Sequence, residues 1–263
     1  MISSLSNAQV KHVRRLQNDR RYRHKKQRFV VEGARMLAEL ISCRDRLDVT
    51  YYTQDWLADR RHEELLEEID GRAVAVAPEV LAAMSDTETA PGVLAVVRID
   101  ERPLPQRPSF VLILDGLATP GNLGTILRTA GATAVDAVLL SSGSVDIYNP
   151  KVVRGAMGAH LRVPVRRFTW AEIAAYTAGL AVWTAEARGE QNYAQIDWRQ
   201  PSALIIGNEA HGAGAEAQAL ARGSAVIPMA AATESLNAAT AAAVILFEAY
   251  RQRGFLGLEG TKV

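Results

Sequence analysis

Five polar side chains stand where a strand ends or a helix begins, the positions from which a scaffold presents chemistry. Asn122 and Arg128 lie six residues apart across a loop-to-helix turn, a spacing that can aim both at one pocket above a sheet. Glu209 follows Gly207 and Asn208 at the end of an apolar run, where a carboxylate can hold a ligand or a helix start. Ser235 and Asn237 flank Leu236 just ahead of an Ala-rich run, so this tripeptide opens a helix whose first N–H groups are free for a ligand. Taken singly, each has a plainer reading. An arginine on a helix is usually a surface cation, His211 reads as a loop residue, and Lys151 and Arg154 can bind phosphate or simply cover their helix.

The elements that must position these residues are concentrated in residues 203–253. That stretch reads as a buried strand (203–206), a Gly-punctuated loop (207–214), a short helix, a second strand (225–227), a loop opened by Pro228, and a long Ala-rich helix. Two loops therefore lie at the ends of parallel strands, where an open α/β sheet places its ligand, and together they suit a nucleotide-sized pocket. On the last helix Leu236, Ala239, Thr240, Ala243, Leu246, Phe247 and Tyr250 share a face at 3.6-residue spacing, with Ser235 or Asn237 as cap. Upstream, strands at 110–114, 135–140, 163–166 and 180–184 alternate with helices at 123–132, 151–160 and 170–178, which predicts a parallel sheet covered on both faces.

The first third carries a different pattern. A helix with an apolar stripe of Val10, Val13, Leu16 and Gln17 leads into strands at 29–31, 47–52, 73–77 and 93–98, with helices at 34–41, 55–69 and 78–84, Asp55 being a candidate N-cap. This is a small α/β domain. Residues 99–109 (IDERPLPQRPS) hold three prolines and no apolar period, so they read as a linker, and the domains are expected at 1–105 and 106–263. Net charge is +1, yet residues 11–28 hold nine cations (Lys11, Arg14, Arg15, Arg20, Arg21, Arg23, Lys25, Lys26 and Arg28) against Asp19 alone. Such an arm on an otherwise acidic chain is either a footprint for nucleic acid or a solvated helix face.

Composition and motifs narrow the chemistry. With 48% hydrophobic and 22% charged residues and no apolar run near 20 residues, the chain is expected to be soluble, cytoplasmic and off the membrane. A single cysteine, Cys43, reads as a small core residue and precludes an internal disulfide. The strand ending at Leu114 is followed by TPGNLG rather than GxGxxG, which disfavours a dinucleotide dehydrogenase. The sequence has no P-loop, no GxSxG elbow and no metal-ligand spacing among its five histidines, so no metal is expected.

Three segments in this order resemble the SpoU-type RNA 2′-O-methyltransferases of the SPOUT superfamily: LDGLATPGNLGTILRTAGATAVDAVLL (114–140), ALIIGNEAHGAG (203–214) and VIPMAAATESLNAATAAAVILFE (226–248). VVRGAMGAHLRVPV (152–165) is similar to the same pattern, and SLSNAQVKHVRRL, FVVEG and APGVLAVV resemble the family's accessory RNA-binding domain, a ribosomal-protein-like α/β fold. The sequence departs from the pattern at Thr119, Ala156, Ala210, Ala213 and Gly214.

The resemblance implies S-adenosyl-L-methionine as cofactor and structured RNA, rRNA rather than tRNA, as substrate. It implies catalytic polar residues at Asn122, Arg128, Glu209, Ser235 and Asn237, with cofactor contacts at Gly207, Ile227, Met229, Leu236 and Asn237. The basic arm and Arg154 would bind RNA. It further implies a deep trefoil knot, with 228–237 threaded so that the last helix passes through a loop, and a homodimer through that knot in which Arg128 serves the partner's cofactor. Because a guanidinium is almost never neutral, Arg128 is expected to stabilise developing alkoxide and clamp a phosphate, leaving proton transfer to Glu209, Ser235, Asn237 or water. Two other readings are a catalytically inactive RNA-binding or ribosome-associated module and an α/β enzyme acting on a small phosphorylated substrate.

Overall fold

The computed structural model describes residues 1–69, 71–230 and 235–255, so 231–234, within the segment expected to be threaded, lie outside the described residues. Contacts divide the chain into two compact units, 1–100 with 146–161, and 101–145 with 162–263. A single boundary near 105 was expected. The difference lies in 146–161, which follows the second unit's strands in sequence but joins the first unit through Val153 and Leu161, buried in its core beside Phe29, Leu37 and Trp56.

In the first unit, α1 (Ala8–Asn18) and α2 (Arg20–Lys26) precede β1 (Arg28–Glu32), α3 (Ala34–Glu39), a 3₁₀ segment (Ile41–Arg46) and β2 (Leu47–Tyr52). Then follow α4 (Gln54–Leu57), α5 (Arg60–Ile69), β3 (Ala73–Ala75), α6 (Pro78–Met84) and β4 (Val93–Arg98). The sheet runs β1-β4-β2-β3, antiparallel except between β2 and β3. Val10, Val13, Leu16 and Gln17 are the buried stripe of α1, and Cys43 is buried in the core. The expected helix 55–69 is broken, and its start is capped by Thr53, which accepts from the Trp56 N–H, rather than by Asp55. Asp55 falls inside the first turn of α4, past the cap position.

The second unit is built on β5 (Phe110–Leu114), α7 (Pro120–Ala132) and β6 (Ala137–Leu140). The chain then passes through α8 (Pro150–Ala156) and α9 (Ala159–Arg162) to β7 (Val165–Arg167), α10 (Trp170–Tyr176), β8 (Ala181–Ala185) and β9 (Gln191–Asn192). β10 (Ser202–Ile206), α11 (Ala215–Leu220), β11 (Gly223–Val226) and α12 (Ala238–Gln252) complete it. Among the described residues all strand pairs are parallel, in the order β7-β6-β5-β10-β8-β11-β9. Val111, Ile113, Ala203 and Ile205 pack with Ile173 of α10 and Ala217 of α11. Their alternates Leu112, Leu114 and Leu204 are equally buried, which leaves the opposite face to the mutually packed α7 and α12.

Two further helices differ from expectation. The predicted helix 151–160 breaks where Met157 adopts left-handed backbone (φ 46°) and Gly158 follows at φ 81°. On α12 the buried face is Ala239, Ala242, Ile245, Leu246, Ala249 and Tyr250, with Thr240 and Phe247 exposed. Alanines around the whole helix leave its apolar phase poorly marked, so packing decides it.

Candidate functional site

A cavity of about 460 Å³ opens at the carboxyl ends of β8, β10 and β11. Its floor and walls come from residues 185–188 at and after the end of β8, residues 206–213 at and after the end of β10, and Ile227, Met229, Ser235 and Leu236 ahead of α12. Gly207, Ile227, Met229 and Leu236 line it, and so do Glu209 and Ser235. Ile245, Ala238 and Ala241 of α12 add an apolar wall. The volume suits a nucleotide-sized ligand.

The loop after β10 is closed by its own backbone. Asn208 and Gly212 exchange N–H to carbonyl bonds of 2.8 and 2.9 Å, and a Cβ built on Gly207 would overlap the backbone of Gly212 and Ala213. Only glycine fits there. Asn208 completes the turn by donating to the Gly116 carbonyl at 2.7 Å and accepting from Ala210 N at 2.9 Å. Asp115, at the end of β5, accepts from Gly214 N at 2.7 Å and from the Ser141 hydroxyl at 2.7 Å, tying the loop to the neighbouring strand.

Beside the cavity three of the five predicted polar residues, Asn122, Glu209 and Asn237, form one network. The Glu209 carboxylate accepts from Ala118 N (3.2 Å), Thr119 N (3.1 Å) and Asn122 Nδ2 (2.9 Å), which fixes the entry to α7. Asn122 Oδ1 in turn accepts from Asn237 Nδ2 at 3.0 Å. Asn237 Oδ1 caps α12, accepting from Ala239 N at 2.9 Å. Partial burial alone would raise the Glu209 pKa, but the hydrogen bonds from Asn122 and the backbone N–H groups outweigh it and hold the group at about 2.

The structure therefore brings Asn122, Glu209 and Asn237 together and sets Ser235 on the cavity wall. It does not bring in Arg128, which is exposed on α7 and is not among the residues lining the cavity of its own chain. Asn237 also does not line the cavity, because both ends of its amide are committed to the α12 cap and Asn122. Sequence reasoning missed Asp115, Glu186, Arg188 and Gln218. Asp115 and Glu186 each directly follow an apolar strand, a signal readable in the sequence once the strand order is known.

On the first unit, one member of the basic arm is corrected. Arg23 is 4% exposed, donating to Asp146 Oδ2 from Nε (3.0 Å) and Nη2 (2.8 Å) and to the carbonyls of Leu16 and Gln17. It lies on the inner side of α2, so it is a structural ion and not an RNA contact. Arg28 pairs with Asp48, and Arg154 with Asp86 at 2.7 Å. Lys11, Arg14, Arg15, Arg20, Arg21, Lys25 and Lys26 are exposed. Tyr22 sits among them, with the Arg15 guanidinium 4.0 Å above its ring. Among the described residues no cluster of three or more His, Cys, Asp or Glu could hold a metal ion, and no helix is long and apolar enough to cross a membrane.

Comparison with known proteins matches residues 109–247 to the SpoU rRNA Methylase family and residues 7–95 to the MRM3-like substrate binding domain. The chain is 32% identical to the 23S rRNA (uridine(2479)-2′-O)-methyltransferase of Streptomyces viridochromogenes, over 94% of this chain and 91% of that protein. It is 31% identical to the 23S rRNA (guanosine(2553)-2′-O)-methyltransferase RlmP of Bacillus subtilis, over 94% and 97%. The crystal structure of the SpoU methyltransferase AviRb from Streptomyces viridochromogenes in complex with AdoMet superposes with a TM-score of 0.85 at 29% identity, covering 94% of this chain and 98% of that one. With the family model matching residues 109–247 and two relatives 32% and 31% identical over 94% of this chain, this chain belongs to the SpoU rRNA methylase family.

Proposed function

We infer that this protein transfers a methyl group from S-adenosylmethionine to a ribose 2′-hydroxyl of rRNA. The observation that carries the reading is the cavity itself: the glycine cradle at 207 and the apolar side chains of Ile227, Met229 and Leu236 enclose it, while the Asn122–Glu209–Asn237 network stands at its edge. These residues fit the cofactor, since an adenosyl group needs close backbone approach and an apolar wall. When bound, S-adenosylmethionine supplies an electrophilic methyl group. The chain's own contribution is positioning and charge.

Glu209, ionised and bonded to three donors, acts as a positioning residue: it holds residues 118–122 against the 207–209 loop and is a poor proton acceptor. Arg128 remains a cation, clamping phosphate and stabilising charge on the ribose oxygen. Its exposed place on α7 is compatible with service to the cavity of a second copy, within a homodimer formed through a knotted 228–237 segment. The exposed arm cations hold RNA phosphates. The two relatives named above act on a uridine and a guanosine, so the feature their targets share is the ribose hydroxyl rather than the base.

The test is mapping of 2′-O-methyl groups on rRNA from cells with and without the protein, alongside calorimetry with S-adenosylmethionine. One methylated ribose lost with the protein and restored by the purified enzyme is the expected result. Cofactor binding with no change in any rRNA ribose would overturn the rRNA assignment.

A further inference from the structure

We propose that Glu186 is the acceptor for the vicinal ribose hydroxyls of the adenosyl ligand, and so a specificity determinant of the cofactor pocket. This rests on the reading of the cavity as an S-adenosylmethionine site.

The placement follows from register. β8 and β10 are adjacent and parallel, with Ala185 opposite Ile206, so Glu186 and Gly207 leave neighbouring strands at the same level, and both line the cavity. Gly207 lets backbone close on a ligand, and the next strand end then presents an acid beside it. The same logic places a carboxylate on a ribose hydroxyl in dinucleotide-binding sheets, where glycine supplies the close approach and an acid beyond it reads the sugar.

The backbone at 186 is fixed, its N–H donating to the Ala225 carbonyl of β11 at 2.9 Å. The side chain is oriented by Gln218 of α11, whose Nε2 donates to Glu186 Oε1 at 3.4 Å and to the Ala213 carbonyl at 3.3 Å. Among the described residues this is the carboxylate's one hydrogen bond, leaving Oε2 and most of its acceptor capacity for a ligand. Two other side-chain acceptors of the cavity are committed: Glu209 to Ala118, Thr119 and Asn122, and Asn208 to Ala210 and His211. A ligand offering two adjacent hydroxyl donors finds its acceptor at Glu186.

The experiment is titration calorimetry of the full chain with S-adenosylhomocysteine, which lacks the sulfonium charge, and with its 2′-deoxy and 3′-deoxy analogues. Wild type is expected to bind at least one deoxy analogue about tenfold or more weakly than the parent, the range of a hydrogen bond to a charged group. Glu186→Ala should weaken the parent about tenfold and shrink that ratio to within about twofold, with Glu186→Gln intermediate. Equal binding of all three ligands by wild type overturns the proposal without touching the cofactor reading. So does a loss in Glu186→Ala shared equally by parent and analogues, which would assign the carboxylate to the ligand's ammonium group. Failure of wild type to bind the parent would instead remove the cofactor reading and this proposal with it.

Discussion

Glu209 accepts hydrogen bonds from two backbone N–H groups and the Asn122 amide, and that satisfaction decides its chemistry. A carboxylate held at about 2 carries its charge across the whole working range, so the pH profile of methyl transfer should show no limb from this residue above pH 4. Glu209→Gln, which replaces one of the two accepting oxygens with a donor facing N–H groups, is expected to lower kcat about 10²-fold with a smaller change in KM. A KM change alone would contradict the positioning role. For stability the sign is fixed by direction: the folded value lies below the ordinary 4.5, so the stabilisation is complete above that range and is lost as pH falls through about 2. Solvent screening of this exposed side chain keeps the effect to about 1 kcal/mol or less, readable as a flatter acid limb of urea unfolding in Glu209→Gln. Gly207→Ala should abolish S-adenosylhomocysteine binding by calorimetry, because the new methyl group forces the Gly212–Ala213 backbone outward. Unchanged affinity would show the loop to be loose. From sequence, Gly207 and Glu209 could be placed at a strand end, but the bonds among Asn122, Glu209 and Asn237 join residues 87 to 115 positions apart and are set by strand order.

At the scale of elements, the strands were legible because each is a short apolar run closed by turn residues, as 110–114 and 93–98 show. Helix starts and phases were less so, since several residues compete for one geometric role. Thr53 and Asp55 are both capping types two positions apart, and the structure gives the cap to Thr53. Thr53→Ala should therefore cost about 1 kcal/mol in urea unfolding, and Asp55→Ala clearly less. The reverse order would restore Asp55 as the cap. Likewise nothing in AMGAH marks Met157 as left-handed, a conformation that costs a residue with a Cβ roughly 1 kcal/mol and is tolerated here because the chain must turn between α8 and α9. The short β9, two residues long, has too little pattern to be read at all.

Over the whole molecule, charge is divided between structure and surface in a way the sequence does not display. Residues 11–28 read as one basic arm, yet Arg23 is turned inward onto Asp146, which arrives from more than a hundred residues later and also accepts from His24 at 3.1 Å. A pair so buried, with Arg23 saturated by two carbonyls besides, is expensive to break from one side only. Asp146→Ala should destabilise the protein by about 3–5 kcal/mol in urea unfolding, since it strands a buried guanidinium. The exposed cations belong to the other class. Arg14→Ala and Lys25→Ala should leave unfolding within about 0.5 kcal/mol of wild type, and each should lower affinity for rRNA fragments while reducing the slope of log K against log salt by about 1. Arg23→Ala, measured on whatever fraction stays folded, should leave that slope unchanged. If Arg23→Ala flattens the salt dependence as much as Lys25→Ala does, the inward arginine is an RNA contact after all and the division of the arm fails.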